Sequence, residues 1–219
     1  MDFGRKKTQK YTFKSPKLEY LRILGSLVVD TEAFSKRYVH LVSLLKIDME
    51  NGLLSMLIQF YDPVYHCFTF PDYLLMPTLE EYSHLLGVTI SSQAPLYGLE
   101  DDPKDQDIAK ATHLKMLEIR DHMTTKGKML GLTAKFLMNK AQYFARTRSV
   151  DAFEVVFPLL IYGLFLFPSF DDFVAMDAIK IFLIGNLVPI LLVDAYHSVH
   201  MRNSYRGGMV TCCVPMLYK

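Results

Sequence analysis

Two long apolar stretches set the first limit on what this chain can fold into. Val155–Phe170 reads VVFPLLIYGLFLFPSF, 16 residues without a charge, and Ile181–Val193 reads IFLIGNLVPILLV, 13 residues. A membrane-crossing helix needs about 20 apolar residues, whereas ~10–14 mark a buried core helix. Both stretches carry internal Pro or Gly and are bounded by Glu154, Asp171 and Asp194. The expectation is burial inside a helical domain, with a membrane hairpin over Val155–Val193 as the minority alternative. A chain of 219 residues holds one domain at ~100–200 residues each. Hydrophobic residues are 51% and charged ones 21%, so a core can form. The net charge of +1 argues against a generally basic nucleic-acid-binding surface.

The three cysteines, Cys67 and the adjacent Cys212 and Cys213, do not form a disulfide framework. The start, MDFGRKKTQKYTFKSPK, has no apolar core of a signal peptide. Together these point to a reducing compartment. Residues 1–22 hold seven Lys/Arg and two acids. They read as a basic, partly disordered segment over 1–30, with Arg5, Lys6 and Lys7 as half of an import signal in the alternative.

Helical periodicity places Phe34, Tyr38, Leu41, Val42 and Leu45 on one face of a helix over Phe34–Ile47. A short helix over Gly52–Tyr61 stops at Asp62-Pro63. Val64–Leu75 reads as short strands, broken at Pro71 into a hairpin. Pro77–Gly87 is the sharpest local signal: Thr78 as N-cap, Glu81 three residues on as a capping box, and Gly87 as terminator. Tyr82, Leu85 and Leu86 supply the buried face of that helix. Val88–Asp105 is expected to be a loop with an acidic patch at Glu100, Asp101 and Asp102. Helices are expected at Ile108–Met123 and Thr133–Ala145, with a turn at Lys126–Lys128. Further helices are expected at Val150–Phe167, Asp172–Ile184 and Leu187–Met201, with kinks or boundaries at Pro158 and Pro189. The chain stops at Met216-Leu217-Tyr218-Lys219 without a polar tail, so 31–219 is expected to be one helical domain that is incomplete at its C-terminal end.

No phosphate-binding Gly loop, G-x-S-x-G elbow, H-E-x-x-H or C-x-x-C occurs. Five weak candidates remain. Asp194, His197 and His200 share a helical face and could present a metal site, but a helix end with histidines near its dipole is favoured. His66 and Cys67 are strand neighbours facing opposite sides, so they do not pair as base and nucleophile. Cys212-Cys213 could be redox-active, with packing the favoured role. Arg146, Arg148, Arg202 and Arg206 with Tyr143 and Tyr205 mix bases and aromatics as nucleic-acid sites do, or are ordinary surface. The 12 Met and 28 Phe/Tyr residues either fill the core or form an adaptable binding surface.

The run Phe68–Val88, FTFPDYLLMPTLEEYSHLLGV, resembles the opening of the plant mobile domain, also called the aminotransferase-like plant mobile domain. The matching residues are Phe68, Pro71, Thr78, Leu79, Glu80, Leu85, Leu86 and Gly87, and Glu81 completes the capping box. FEVVFPLLIYGLFLFPS (Phe153–Ser169) and LLVDAYHSVH (Leu191–His200) resemble two later helices of that family. FYDP, FTFP and PTLEEYSHLLG together resemble its legume-rich branch of domain-of-unknown-function proteins. A W-G-x-x-x-L segment of many members is replaced here by GNLVPILLVDAY. The resemblance implies a transposon-derived, nuclear, non-enzymatic protein linked to transposon silencing, genome stability and meristem maintenance, with a phosphatase-like protein partner. It carries over no catalytic residue, cofactor or metal ligand. The reading is therefore a mainly α (α+β) domain with a small β-hairpin before the Pro77–Gly87 helix, acting as a protein-interaction module of the nucleus. The alternatives are a nucleic-acid-associated transposable-element protein, a cytoplasmic or small membrane-associated helical protein, an enzyme of unknown class, and an element-derived relic.

Overall fold

The computed structural model describes residues 11–14, 17–38, 40–47, 51–88, 101–205, 207–213 and 216. The basic cluster Arg5–Lys7, most of the expected 88–105 loop including Glu100, Arg206 and the last three residues lie outside them. The domain is mainly α, with three small sheets among the described residues.

The chain opens with β1 (Tyr11–Phe13), α1 (Leu18–Gly25), α2 (Thr31–Tyr38), α3 (Leu41–Leu44) and α4 (Asn51–Gln59). Next come β2 (Tyr61–Asp62), β3 (Cys67–Thr69) and β4 (Leu74–Leu75), an antiparallel sheet in that order, and then α5 (Leu79–Leu86). α6 (Asp105–Thr112) and α7 (Met116–His122) lead into the hairpin β5 (Met123–Lys126) and β6 (Met129–Thr133). α8 (Ala134–Arg146) and α9 (Val150–Ile161) follow, and α9 runs on into a π-helical turn, Tyr162–Leu166. β7 (Phe173–Ala175), α10 (Met176–Ile184), α11 (Leu187–Ser204) and β8 (Gly208–Val210) complete it. β7 pairs antiparallel with β6, and β8 pairs parallel with β1.

The main core surrounds α9. Val156, Phe157, Leu159, Leu160, Ile161, Phe165 and Leu166 are fully buried, so the first apolar stretch is the centre of a core. Among the described residues no helix is long and apolar enough to cross a membrane. Pro158 sits inside α9, where it removes one backbone donor. Gly163 in the π turn lets β7 approach closely: a Cβ there would lie 2.5 Å from Val174 Cγ1. Phe34 packs on Phe157 with ring centroids 5.9 Å apart, which joins α2 to this core. A smaller cluster holds Tyr11, Leu54, Ile58, Tyr61, Phe68, Val199, Val210 and Cys212.

Several elements differ from the sequence reading. The expected helix over Phe34–Ile47 is two helices, α2 and α3, although Phe34, Leu41 and Leu45 are buried as expected. The break lets the His40 N–H donate to the Leu86 carbonyl at 3.1 Å, a bond a continuous helix would forbid. The expected helix over Ile108–Met123 breaks at His113, which takes φ 57°, so that Leu114 reaches the core. Met116 is consequently exposed, and Met123 opens a strand. The turn at Lys126–Lys128 joins a hairpin. Asp172–Ile184 begins as β7, because β6 offers its free edge to Phe173–Ala175. Within the 1–30 segment, the described residues Tyr11–Phe13 form β1 and Leu18–Gly25 form α1, with Leu21 and Leu24 fully buried in the main core.

Candidate functional site

The motif residues build one local structure around α5. The Glu81 N–H donates to Thr78 Oγ1 at 3.2 Å, and the Thr78 N–H donates to Glu81 Oε2 at 2.9 Å. This reciprocal cap satisfies two of the helix's first donors. At the other end Gly87 takes φ 71° and the Val88 N–H donates to the Ser83 carbonyl at 3.0 Å. The His40 ring lies under Gly87, so a Cβ there would meet it at 3.0 Å. Tyr82 and Leu86 are buried, Leu79 and Leu85 half-buried, and Glu80 is exposed.

Phe68 on β3 is buried against Tyr61, with rings 5.5 Å apart in an edge arrangement. It shares a small apolar void with Pro77, Tyr82 and Tyr196. Phe70 is partly buried against the same small cluster. It stacks between Phe60 and Tyr73, with centroid distances of 4.7 Å to each. Pro71 occupies the exposed turn of the β3–β4 hairpin, closed by the Phe70 N–H donating to the Tyr73 carbonyl. α11 clamps the small sheet from behind: the Tyr196 hydroxyl donates to the Pro77 carbonyl at 3.0 Å, and Asn203 Nδ2 to the Tyr61 carbonyl at 3.3 Å.

The outer side of this unit is apolar and exposed. Tyr73 is 59%, Leu74 65% and Met76 53% exposed. β4 is the edge of its sheet. Leu53, Met56 and Phe60 point outward from or just after α4. Beside β4 a groove of about 430 Å³ runs between Leu75, Pro77, Glu80, His84 and Leu85. The surrounding charges are acidic: Asp62, Asp72, Glu80 and Glu81. Residues 47–103 contain nine acidic residues and no Lys or Arg. That charge asymmetry is legible in the sequence although no motif carries it.

The other candidates do not assemble. Asp194 and His197 line a cleft beside α10, but His200 turns to the small sheet, its ring stacked on His66 at 5.0 Å. Among the described residues no group of three or more His, Cys, Asp or Glu could hold a metal. His66 leaves the strand with φ 52° and meets the Tyr61 hydroxyl at 3.3 Å, while Cys67 is buried. Cys212 and Cys213 are buried, and burial pushes both thiols up, which disfavours the thiolate a redox nucleophile needs. Burial likewise raises the Tyr82 phenol, which has no hydrogen-bond partner, and lifts Tyr196 to about 12. Arg146 ends α8 and Arg148 follows it in a turn at φ 56°, whereas Arg202 sits in the last turn of α11 against Gly208.

No curated protein and no solved structure matches the chain. One family does, the domain of unknown function DUF7745, over residues 21–219. Its first matched residue, Leu21, is one of the two α1 leucines fully buried in the main core. The matched region covers nearly the whole chain, and the protein belongs to the DUF7745 family.

Proposed function

We propose that the chain is a non-enzymatic protein-interaction module of the nucleus, derived from a transposable element and tied to transposon silencing, genome stability or meristem maintenance. The interaction role rests on one observation, the exposed apolar face formed by Phe60, Tyr73, Leu74, Leu75 and Met76. Contiguous exposed apolar surface rimmed by polar residues marks interaction sites. The rim of Asp62, Asp72, Glu80 and Glu81, in a segment free of Lys and Arg, fits a partner segment whose apolar side chains are flanked by basic ones. The nuclear and transposon parts rest on the resemblance of Phe68–Gly87 to the plant mobile domain, and so does a phosphatase-like partner.

A second reading has its own support. The 162 residues outside 47–103 carry all 24 Lys and Arg against 14 acids, a basic balance suited to nucleic acid. Salt separates the two readings. The tagged chain is incubated with plant nuclear extract, with and without nuclease treatment, and washed at low salt and at roughly 0.5 M, where exposed charge pairs are screened. A stoichiometric protein retained at both supports the interaction module. Capture that needs intact nucleic acid and falls steeply with salt supports the second reading and overturns the first.

A further inference from the structure

The pairing of β4 shows which of its backbone groups are already used. Phe68 stands opposite Leu75 and Thr69 opposite Leu74. At the hairpin end the Phe70 N–H donates to the Tyr73 carbonyl at 2.9 Å. Residues of an antiparallel pair alternate between bonded and non-bonded positions. Tyr73 and Leu75 therefore turn their peptide groups inward to β3, and Leu74 and Met76 turn theirs to the open edge. Among the described residues nothing bonds to that edge. Folded proteins commonly blunt such an edge with Lys, Pro, a bulge or a covering loop. Here Leu74 and Met76 are exposed, and Pro71 stands in the turn rather than in the strand.

Side chains alternate as well. Those of Tyr73 and Leu75 share one face, and Leu75 borders the groove of about 430 Å³ that Pro77, His84 and Leu85 also line. Asp72 lies at one end of the strand and Glu80 beyond the other, both exposed.

We infer that β4 accepts an added strand, an extended partner segment of alternating apolar residues with a Lys or Arg at each end. The inference rests on the docking reading of this face and gives it a mode. The added backbone pairs with Leu74 and Met76, and one set of alternate side chains lies over the groove beside Leu75. Tyr73–Met76 spans about 13 Å at ~3.3 Å per residue, so the paired core is about four or five residues. The basic ends meet Asp72 and Glu80, in a stretch, 47–103, that holds nine acids and no Lys or Arg. A helix brings no free backbone groups to the edge, because its own bonds are internal. A second copy paired through β4 sets acids against acids at both ends.

Isothermal titration of the whole chain with the peptide acetyl-KVTLTVK-amide tests this. Two further forms carry backbone N-methyl groups, one on both threonines and one on both valines. Only one alternate set of amides faces β4, so one form is expected to bind at least about tenfold more weakly, the size of two hydrogen bonds, and the other to bind like the parent peptide. Acetyl-EVTLTVE-amide is expected to bind at least about tenfold more weakly than the lysine peptide. Leu74→Pro removes the outward N–H, a change an edge strand tolerates, whereas Leu74→Ser keeps it. The proline variant is expected to lose about fivefold more affinity than the serine variant. The peptide comparison needs no variant, so it stands even if Leu74→Pro fails to fold. Absence of peptide binding overturns the inference, and so does an equal effect of the two N-methylated forms. A chain that sediments as a dimer and excludes the peptide overturns it in favour of a second copy. The capture of a nuclear protein reads the face whatever the shape of its occupant, so it fails or succeeds separately.

Discussion

Replacing Gly87 by Val puts the capping geometry of α5 to a quantitative test. Gly87 holds φ 71°, and a left-handed residue with a Cβ costs ~1–2 kcal/mol. The new Cβ would also lie 3.0 Å from His40 Cε1 and 3.1 Å from both ring nitrogens. The His40 backbone is held by the Leu86 carbonyl at 3.1 Å, so the ring makes room only by turning about its own side-chain torsions. Crowding of this kind adds about 1 kcal/mol, at the low end of overpacking costs. The expected total is about 2–3 kcal/mol, or roughly 4–12 °C in Tm for a chain of this size. Urea unfolding and thermal melting followed by circular dichroism measure it. Gly87→Asn should cost roughly half as much, since Asn tolerates the left-handed region. In a His40→Ala background the crowding part should vanish and the backbone part remain. A Gly87→Val protein that melts within about 1 °C of the parent, or an Asn variant as unstable as the Val one, would refute the assignment.

Three further outcomes follow from the same geometry. Thr78→Ala should cost about 1 kcal/mol, and Glu81→Ala should cost less when added to it than alone, because the two share one capping box; a double-mutant unfolding cycle checks this. Gly163→Ala should destabilise by about 1–2 kcal/mol despite the ~1 kcal/mol gain in helix propensity, because the new Cβ falls 2.5–2.8 Å from the Val174 side chain; a variant more stable than the parent in urea contradicts this packing. The Asp194 carboxyl is raised from 3.8 to about 7, so the native state binds the extra proton and this group's contribution declines as pH rises from about 4 to 7. Unfolding measured across that window should show the decline flattened in Asp194→Asn. Glu118 acts oppositely, because the Lys140 ammonium lowers its carboxyl and its contribution is lost as pH falls below the usual carboxylate range.

What the sequence revealed was local. Thr78, Glu81 and Gly87 are within ten residues of one another and announce α5 by themselves. Asn51–Gln59 and Ala134–Arg146 carry a clear start, stop or period, and they match the expected helices closely. Partners distant in sequence hid the rest. The break between α2 and α3 answers a carbonyl on α5, and no Gly or Pro marks it. β7 exists because β6 has a free edge, and Tyr11–Phe13 is a strand because Gly208–Val210 lies beside it. His113 and His66 take positive φ without being Gly, so breaker residues gave no warning. The β5–β6 hairpin did have a local sign, Gly127 at positive φ in a two-residue turn, masked by the helical period on either side. For the docking face, the Lys- and Arg-free segment 47–103 was readable. That Phe70, partly buried against the small cluster, stacks between Phe60 and Tyr73 was not, because Phe60 lies ten residues earlier, ahead of the sheet.

The most direct test of the account changes that face alone. Tyr73→Ser with Leu74→Ser alters two exposed side chains and should cost about 0.5–1.5 kcal/mol, the Tyr73 stack on Phe70, with the fold retained. Parent and variant are used side by side as bait in nuclease-treated plant nuclear extract, with Arg146→Ser/Arg148→Ser as a control at the basic end of α8. The account predicts one stoichiometric protein that the parent and the arginine variant retain and the Tyr73/Leu74 variant loses. Retention by the Tyr73/Leu74 variant, or loss in the arginine variant instead, would contradict it.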